Sequence, residues 1–304
     1  MRCAVTGGAG FIGSHLTDSL IENGHDVLVI DNLSSGIKLN VNKSASFLKA
    51  DITSDLSSKL KAHEIDTVFH LAADPDVRAS ALNPKPSFEI NVAGTYSLLE
   101  SARKADVKSF LITSTSTVYG EAQAIPTPED YPCIPISNYA ASKLANEAYL
   151  SSYCASYGLR GTTVRYANIF GQRSKHGVMF DFYNKLIKNP EKMEILGNGK
   201  QDKSYLYISD CVSATLTAFE KQKRQYDFFN IGSRRKTSVD QIAKLISKKM
   251  GLNPKFSYTG TERGWTGDVK LMLLKTDKIE SLGWREKVSF EDGLSKYLDW
   301  LSQN

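Results

Sequence analysis

The chain has 304 residues, 41% hydrophobic and 23% charged, with 38 Lys and Arg against 33 Asp and Glu. That length allows one large domain or two of moderate size, and 10% aromatics with 9 prolines exclude a disordered chain. A net charge of +5 without a run of five Lys or Arg leaves no nucleic-acid footprint, and no apolar stretch approaches the ~18 residues of a membrane span. Cys3, Cys133, Cys154 and Cys211 lie far apart and the five histidines are scattered, which fits a reducing compartment and predicts no metal site. The glycine-rich turn follows Arg2 too closely to leave room for a signal peptide, so a soluble, cytoplasmic protein is expected.

Strands are predicted at 3–6, 26–31, 46–51, 67–72, 109–114 and 162–168, with helices between them at 11–23 and 87–105. This alternation reads as α/β, a parallel sheet with helices on both faces. The near-continuous apolar runs at 27–30 and 68–73 suit strands buried on both sides. After about residue 170 the rhythm loosens into loops at 171–177 and 196–203, followed by helices near 238–250 and 289–301. Residues 1–170 are therefore expected to form the larger domain, with part of 205–230 returning to it. Residues 171–304 should form mainly a smaller α/β domain packed directly on the first.

The first strand runs into Thr6-Gly7-Gly8-Ala9-Gly10-Phe11-Ile12-Gly13, which opens a helix. Gly7, Gly10 and Gly13 permit a tight turn, close approach of a pyrophosphate and close packing of helix on strand. The helix start at Phe11 and Ile12 offers free N–H groups and a positive dipole to phosphates. Asp31 ends the second strand, where a carboxylate accepts hydrogen bonds from an adenosine ribose. It would repel a 2′-phosphate, and the following Asn32-Leu33-Ser34-Ser35 brings no Arg, so NAD is favoured over NADP. Asp51-Ile52 follows the third strand, and Asp51 either touches the adenine or caps a helix.

Tyr139 and Lys143 are four apart in a helical stretch and so share a face. An apolar stripe through Ala141, Leu144, Ala145, Ala148 and Tyr149 lies opposite them, which predicts that stripe as the packed face. Upstream, the strand at 109–114 ends in Thr115-Ser116-Thr117-Val118-Tyr119-Gly120. Hydroxyls thus stand at the carboxyl end of a parallel strand, where ligands bind in such sheets.

Together, Thr6–Gly13, Asp31-Asn32-Leu33, His70–Ala73, Thr117–Gly120 and the Tyr139/Lys143 pair resemble the extended short-chain dehydrogenase/reductases. Within them the nucleotide-sugar 4-epimerases of the UDP-glucose 4-epimerase type are most similar, over essentially the whole chain. The resemblance implies a Rossmann-type NAD domain and a smaller domain that binds a nucleotide sugar. It makes Tyr139 the base, Lys143 its partner and Thr115 the catalytic hydroxyl, and adds Leu71, Ala72, Ala73, Asn91 and Tyr166 as cofactor contacts. For the sugar nucleotide it implies Arg78, Ser80, Asn168, Val178, Lys203, Tyr205, Arg263, Asp268 and Met272. Lys203 and Ser204 depart from the Arg and Asp of the family pattern, and Trp265 stands where a phosphate-binding Arg is expected. A homodimer is implied through the helices around 87–105 and 137–157, with Tyr96, Leu99 and Tyr153 as candidate contacts.

The leading reading is NAD-dependent epimerisation at C4 of a UDP-sugar or other nucleotide sugar. A 4,6-dehydratase of the same family carries an Asp-Glu pair where this chain has Ser116 and Thr117. A reductase needs exchangeable NADPH, against which Asp31 speaks. A non-catalytic dinucleotide- or RNA-binding relative would not need the intact Tyr139/Lys143 pair.

Overall fold

The computed structural model describes residues 1–260, 269 and 271–304. The first half alternates as the sequence predicts: β1 (Arg2–Thr6), α1 (Phe11–Glu22), β2 (Asp26–Asp31), β3 (Ser46–Lys49), α2 (Ser57–Ala62), β4 (Thr67–His70) and α3 (Val77–Leu82). A π-helical stretch (Ser87–Ala93) then runs into α4 (Gly94–Lys104), followed by β5 (Ser109–Thr115), a 3-10 turn (Ser116–Tyr119), α5 (Asn138–Tyr157) and β6 (Arg160–Tyr166). The second half holds β7 (Asn168–Phe170), α6 (Val178–Lys188), β8 (Lys192–Ile195), β9 (Asp202–Tyr207), α7 (Ile208–Lys221) and β10 (Tyr226–Ile231). It ends with β11 (Lys236–Ser238), α8 (Val239–Lys249), β12 (Lys255–Tyr258), β13 (Leu271–Met272), α9 (Asp277–Ser281) and α10 (Phe290–Gln303).

Seven parallel strands form the large sheet in the order β10-β6-β5-β4-β1-β2-β3. The chain winds outward from β1 to β3, then crosses back to β4, so the carboxyl ends of β1 and β4 flank the crevice where such sheets bind ligands. The strands pack by two-residue alternation. Cys3, Val5, Val29, Phe69 and Leu111 face α1 and α7, while Ala4, Leu28, Ile30, Val68 and Phe110 face α2 and α4. Phe69 and Phe110 are fully buried, each worth roughly 2–3 kcal/mol of burial. The first cluster continues through Tyr205, Leu206 and Phe290 into the small sheet, where β9 pairs with β7, β11 and β13, so one core spans both sheets.

Several elements depart from expectation at positions that build the site. β3 stops at Lys49 and β4 at His70, short of the predicted 51 and 72, because the next residues leave the ladder as loops over the crevice. The strand predicted at 162–168 breaks at Ala167. Up to Tyr166 it pairs with β5 and β10, and from Asn168 it pairs with β9, which carries the chain from one sheet to the other.

Helix α5 departs from its predicted facing, although Leu144 and Ala145 of the apolar stripe stay half-buried, Leu144 against the cluster of Val118 and Met272. Ala141, Ala148 and Tyr149 of the apolar stripe are exposed, whereas Ser142, Lys143, Asn146 and Glu147 are buried with Leu150, Tyr153 and Cys154. Two of these polar groups find partners inside, Glu147 with Arg165 and Ser142 with Asn91, whereas the buried Asn146 Oδ1 has none. The dimer contacts expected at Leu99 and Tyr153 are likewise internal, and Tyr96 is exposed.

Candidate active site

The phosphate loop is set by two glycines. Gly7 has φ +70°, and a Cβ there would lie 2.7 Å from the Ala72 nitrogen. A Cβ on Gly13 would lie 2.2 Å from the Gly7 carbonyl oxygen, so only glycine lets α1 start this close to the turn. Gly10 caps α1 without a side-chain hydrogen bond, and the N–H groups of Phe11, Ile12 and Gly13 stand at an open helix end. Behind the loop, Thr6 Oγ1 bonds His70 Nδ1 (2.7 Å) and His70 Nε2 bonds Thr95 Oγ1 (2.9 Å). Leu71 and Ala72 follow β4, the Leu71 N–H donating to Thr6 O (3.1 Å), and Ala73 continues the loop, half-buried.

Asp31 is nearly buried beside this loop. It accepts from the Ala9 N–H (3.0 Å) and the Leu33 N–H (2.8 Å), one bond per oxygen, which leaves each a lone pair for a ribose hydroxyl. Asp51 caps no helix. It holds the turn through the Thr53 N–H (2.9 Å), which pulls its carboxyl below the usual range, and it accepts from Asn32 Nδ2 (2.8 Å). Asn32 and Asp51 thus tie together the loops that leave β2 and β3. The Ile52 side chain is buried against Gly94 of α4. An uncapped helix start above a glycine turn, with a carboxylate at the end of β2, fits NAD.

Asn91, expected to touch the cofactor, is already engaged by the protein. It is buried, its Oδ1 accepts from the Asp74 N–H (2.8 Å), and its Nδ2 donates to Asp74 O and Ser142 Oγ (2.9 Å). Those bonds make it a clamp between the loop after β4 and α5. Ser80, expected near the substrate, is engaged in the same way. It is fully buried, its hydroxyl donates to Val77 O (2.7 Å) and accepts from the Tyr139 N–H (3.3 Å), so it seats the start of α5. Arg78, on the same short helix, is exposed.

Ser137 caps α5 by accepting from the Ala140 N–H (3.2 Å), which places Tyr139 in the first turn and Lys143 one turn on. Burial and the nearby Asp74 push the Tyr139 phenol up to about 12. Burial pushes the Lys143 ammonium down to about 8, opposed by Glu147 one turn further along the helix. Thr115 closes β5 and is nine-tenths buried; its Oγ1 accepts from the Thr117 N–H (3.2 Å) and lies 3.0 Å from Thr117 Oγ1.

Beneath these groups lies a charged network. Arg165 donates to both Glu147 oxygens, Nη2 to Oε2 at 2.6 Å and Nε to Oε1 at 3.0 Å. Ser114 donates to the same carboxylate, and Arg165 Nη1 donates to Tyr119 Oη (2.7 Å), which donates to Asn230 Oδ1 (2.8 Å). The network joins β5, β6, α5, β10 and the 3-10 turn, so the end of the sheet is rigid where Thr115 stands. Glu147, Arg165 and Ser114 were not singled out from sequence, and Thr117 was noted only as part of its motif and for lacking a carboxylate. The one available signal was Glu147 lying four residues after Lys143.

On the small-sheet side, Tyr166 bonds Thr215 Oγ1 through its hydroxyl (2.7 Å), so only its ring is left to meet a cofactor. Asn168 Nδ2 donates to Ser204 O (3.0 Å). Lys203 is half-buried on β9, while the Tyr205 ring is buried against Phe290. Val178 begins α6, and Met272 is buried with Val118 and Tyr119. Arg263, Trp265 and Asp268 lie outside the described residues. The loop before α6 is stitched on several sides: His15 Nε2 bonds Gln172 O (3.0 Å), Arg173 pairs with Asp18 (2.7 Å), Tyr207 Oη donates to Gln172 Oε1 (2.5 Å) and Tyr297 Oη donates to Ser174 O (2.7 Å). Among the described residues there is no cluster of three His, Cys, Asp or Glu able to hold a metal, and no helix long and apolar enough to cross a membrane.

Comparison with known proteins agrees with this geometry. The profile of the NAD dependent epimerase/dehydratase family matches residues 3–232. A UDP-glucose 4-epimerase of Thermotoga maritima, solved with UDP-glucose, superimposes with a TM-score of 0.93 at 38% identity, covering 100% of this chain and 99% of that one. The UDP-glucose 4-epimerase of Mycolicibacterium smegmatis is 34% identical over 314 residues, 99% of this chain and 98% of its own length. The human dTDP-D-glucose 4,6-dehydratase is 30% identical over 321 residues, 100% of this chain and 90% of its own length. The glycine turn with Asp31, the Tyr139/Lys143 helix and these matches along the whole chain lead to one conclusion: the protein is an enzyme of the NAD-dependent epimerase/dehydratase family, with NAD as its cofactor.

Proposed function

We propose that the enzyme interconverts the C4 epimers of a UDP-sugar of the glucose/galactose type through a transient 4-keto sugar. The observation that carries this reading is the end of β5. Ser116 and Thr117 stand before Val118-Tyr119-Gly120, and Thr117 is hydrogen-bonded to Thr115, so neither position offers the carboxylate needed to eliminate water. When bound, NAD supplies the hydride acceptor for C4, and its positive ring adds to the charge of Lys143. Tyr139 takes the proton of the 4-hydroxyl. From about 12, the phenol must fall roughly 4–5 units to act near neutrality, about 6 kcal/mol of preference for the phenolate. Lys143 is charged below about 8 and supplies part of that preference from the same helix face. Thr115 donates to the sugar oxygen as its charge develops. Arg78, Asn168, Val178 and Lys203 are assigned to the nucleotide diphosphate and base, Lys203 as a point charge in place of a bidentate Arg.

Turnover in heavy water tests the reading. The C4 hydrogen travels to the cofactor and back without meeting solvent, so two sugars should interconvert with no carbon-bound deuterium and no net cofactor consumption. Deuterium at C5 would show dehydratase chemistry, and steady cofactor consumption a reductase. Either overturns the assignment. NMR of a panel of UDP-hexoses, their N-acetyl forms and uronic acids identifies the sugar.

We also infer a homodimer. The exposed stripe of α5 is made of short alanines with Tyr149, whose ring lies 5.9 Å from that of exposed Tyr96, and small side chains let a second helix pack closely. A dimeric mass at micromolar protein that becomes monomeric in Ala148→Arg supports it, and a monomeric wild type rejects it.

A further inference from the structure

We propose that Thr117 is a positioning residue that makes Thr115 an obligate donor toward the sugar oxygen; the proposal rests on the epimerase reading above. A hydroxyl has one proton and two acceptor sites. One acceptor site of Thr115 Oγ1 is filled by the Thr117 N–H at 3.2 Å, and the Thr117 hydroxyl lies 3.0 Å from the same oxygen. If Thr117 donates, both acceptor sites of Thr115 are filled and its proton has nowhere to go but the cleft. If Thr115 donates, its proton is turned away from the sugar.

The chemistry selects the first arrangement. The 4-hydroxyl gives its only proton to Tyr139, so any second group that holds the same oxygen must donate to it. Thr115 then strengthens its bond as the oxygen gains charge, and a hydroxyl that is itself a double acceptor is the better donor. The backbone sets this up. Thr115 is extended, with φ −145° and ψ 150°, and the 3-10 turn that follows brings residue 117 back over its side chain. Ser116 between them is buried, whereas Thr117 is half-exposed. A carboxylate at position 117 would act in the opposite sense, because it only accepts and would draw the Thr115 proton to itself. The side chain at 117 therefore decides which way the Thr115 proton points.

The test uses the full-length holoenzyme with the UDP-sugar that turns over best. Thr117→Val should lower kcat about tenfold with KM unchanged, the size expected for one directed hydrogen bond. Thr117→Ser restores the donor and should stay within about twofold of wild type. In a Thr115→Ala background, Thr117→Val should have no further effect, since its target is gone. NAD content and melting temperature, measured on each variant, establish that it is folded. A Thr117→Val variant with wild-type kcat overturns the proposal, as does an equal loss in both backgrounds, a rise in KM alone, or a Thr117→Ser variant as slow as the valine. A wild type that turns over no UDP-sugar refutes the epimerase reading itself, and the proposal falls with it.

Discussion

Replacing His70 by Asn should produce a stability loss that disappears in acid. His70 is fully buried, and its two ring nitrogens bond Thr6 and Thr95 at 2.7 and 2.9 Å, each bond worth about 1 kcal/mol. Burial, reinforced by the charge of Lys143, lowers the folded-state value from 6.5 to about 3. Between those limits the unfolded chain binds a proton that the folded chain refuses. His70 therefore contributes stability that is present above pH 6.5 and is lost as pH falls toward 3, at about 1.4 kcal/mol per unit. By about pH 5 the loss is roughly 2 kcal/mol. His70→Asn lacks the titration but also lacks the well-placed ring. Urea melts at about pH 7 should find it weaker by roughly 2 kcal/mol, and melts at about pH 5 should find the gap nearly closed. A gap of the same size at both pH values would refute the argument. Because Thr6 leads directly into the phosphate loop, the variant should also retain less NAD.

Three further outcomes are expected. Tyr139→Phe should lose turnover by orders of magnitude while its NAD content stays that of wild type, since only the transferable proton is removed; retained activity would mean another base. Wild-type activity should fall as pH rises past about 8, where Lys143 gives up its proton, and the residual rate of Lys143→Met should show no such fall. Gly13→Ala puts a methyl group 2.2 Å from the Gly7 carbonyl oxygen, so it should cost about 1–3 kcal/mol in a melt and empty the cofactor site.

The phosphate loop was legible in sequence because its requirement is steric and local: Gly7 and Gly13 fit where a Cβ cannot. Tyr139 and Lys143 were legible as a pair four residues apart, and six of the seven strands of the large sheet were found nearly to their ends, β10 being missed. The packed face of α5 was not. Hydrophobic periodicity assumes that polar side chains face water, and here Glu147 and Ser142 go inward because Arg165, Ser114 and Asn91 meet them from segments far away in the chain. The same reason hid the clamping roles of Asn91 and Ser80. Only tertiary structure shows that Asp74, Ser142 and Tyr139 engage their side chains.

The stitched loop before α6 has a mechanical consequence. Gln172, Arg173 and Ser174 are fastened at once to α1 of the large sheet's helical layer and to β9 and α10 of the smaller one. A joint held from both sides by short bonds behaves as a pivot: rotation about it displaces nearby atoms little and distant ones in proportion to their lever arm. Val178, which begins α6 beside this joint, is therefore expected to hold its distance from Phe11 and the phosphate loop. Any breathing of the small sheet is expected instead at the far rim, where β13 carries Met272 against Val118 and Tyr119. On the proposed epimerase reading, a fixed joint at Val178 and a freer rim at Met272 would let a transient ketone turn over while its nucleotide stays held.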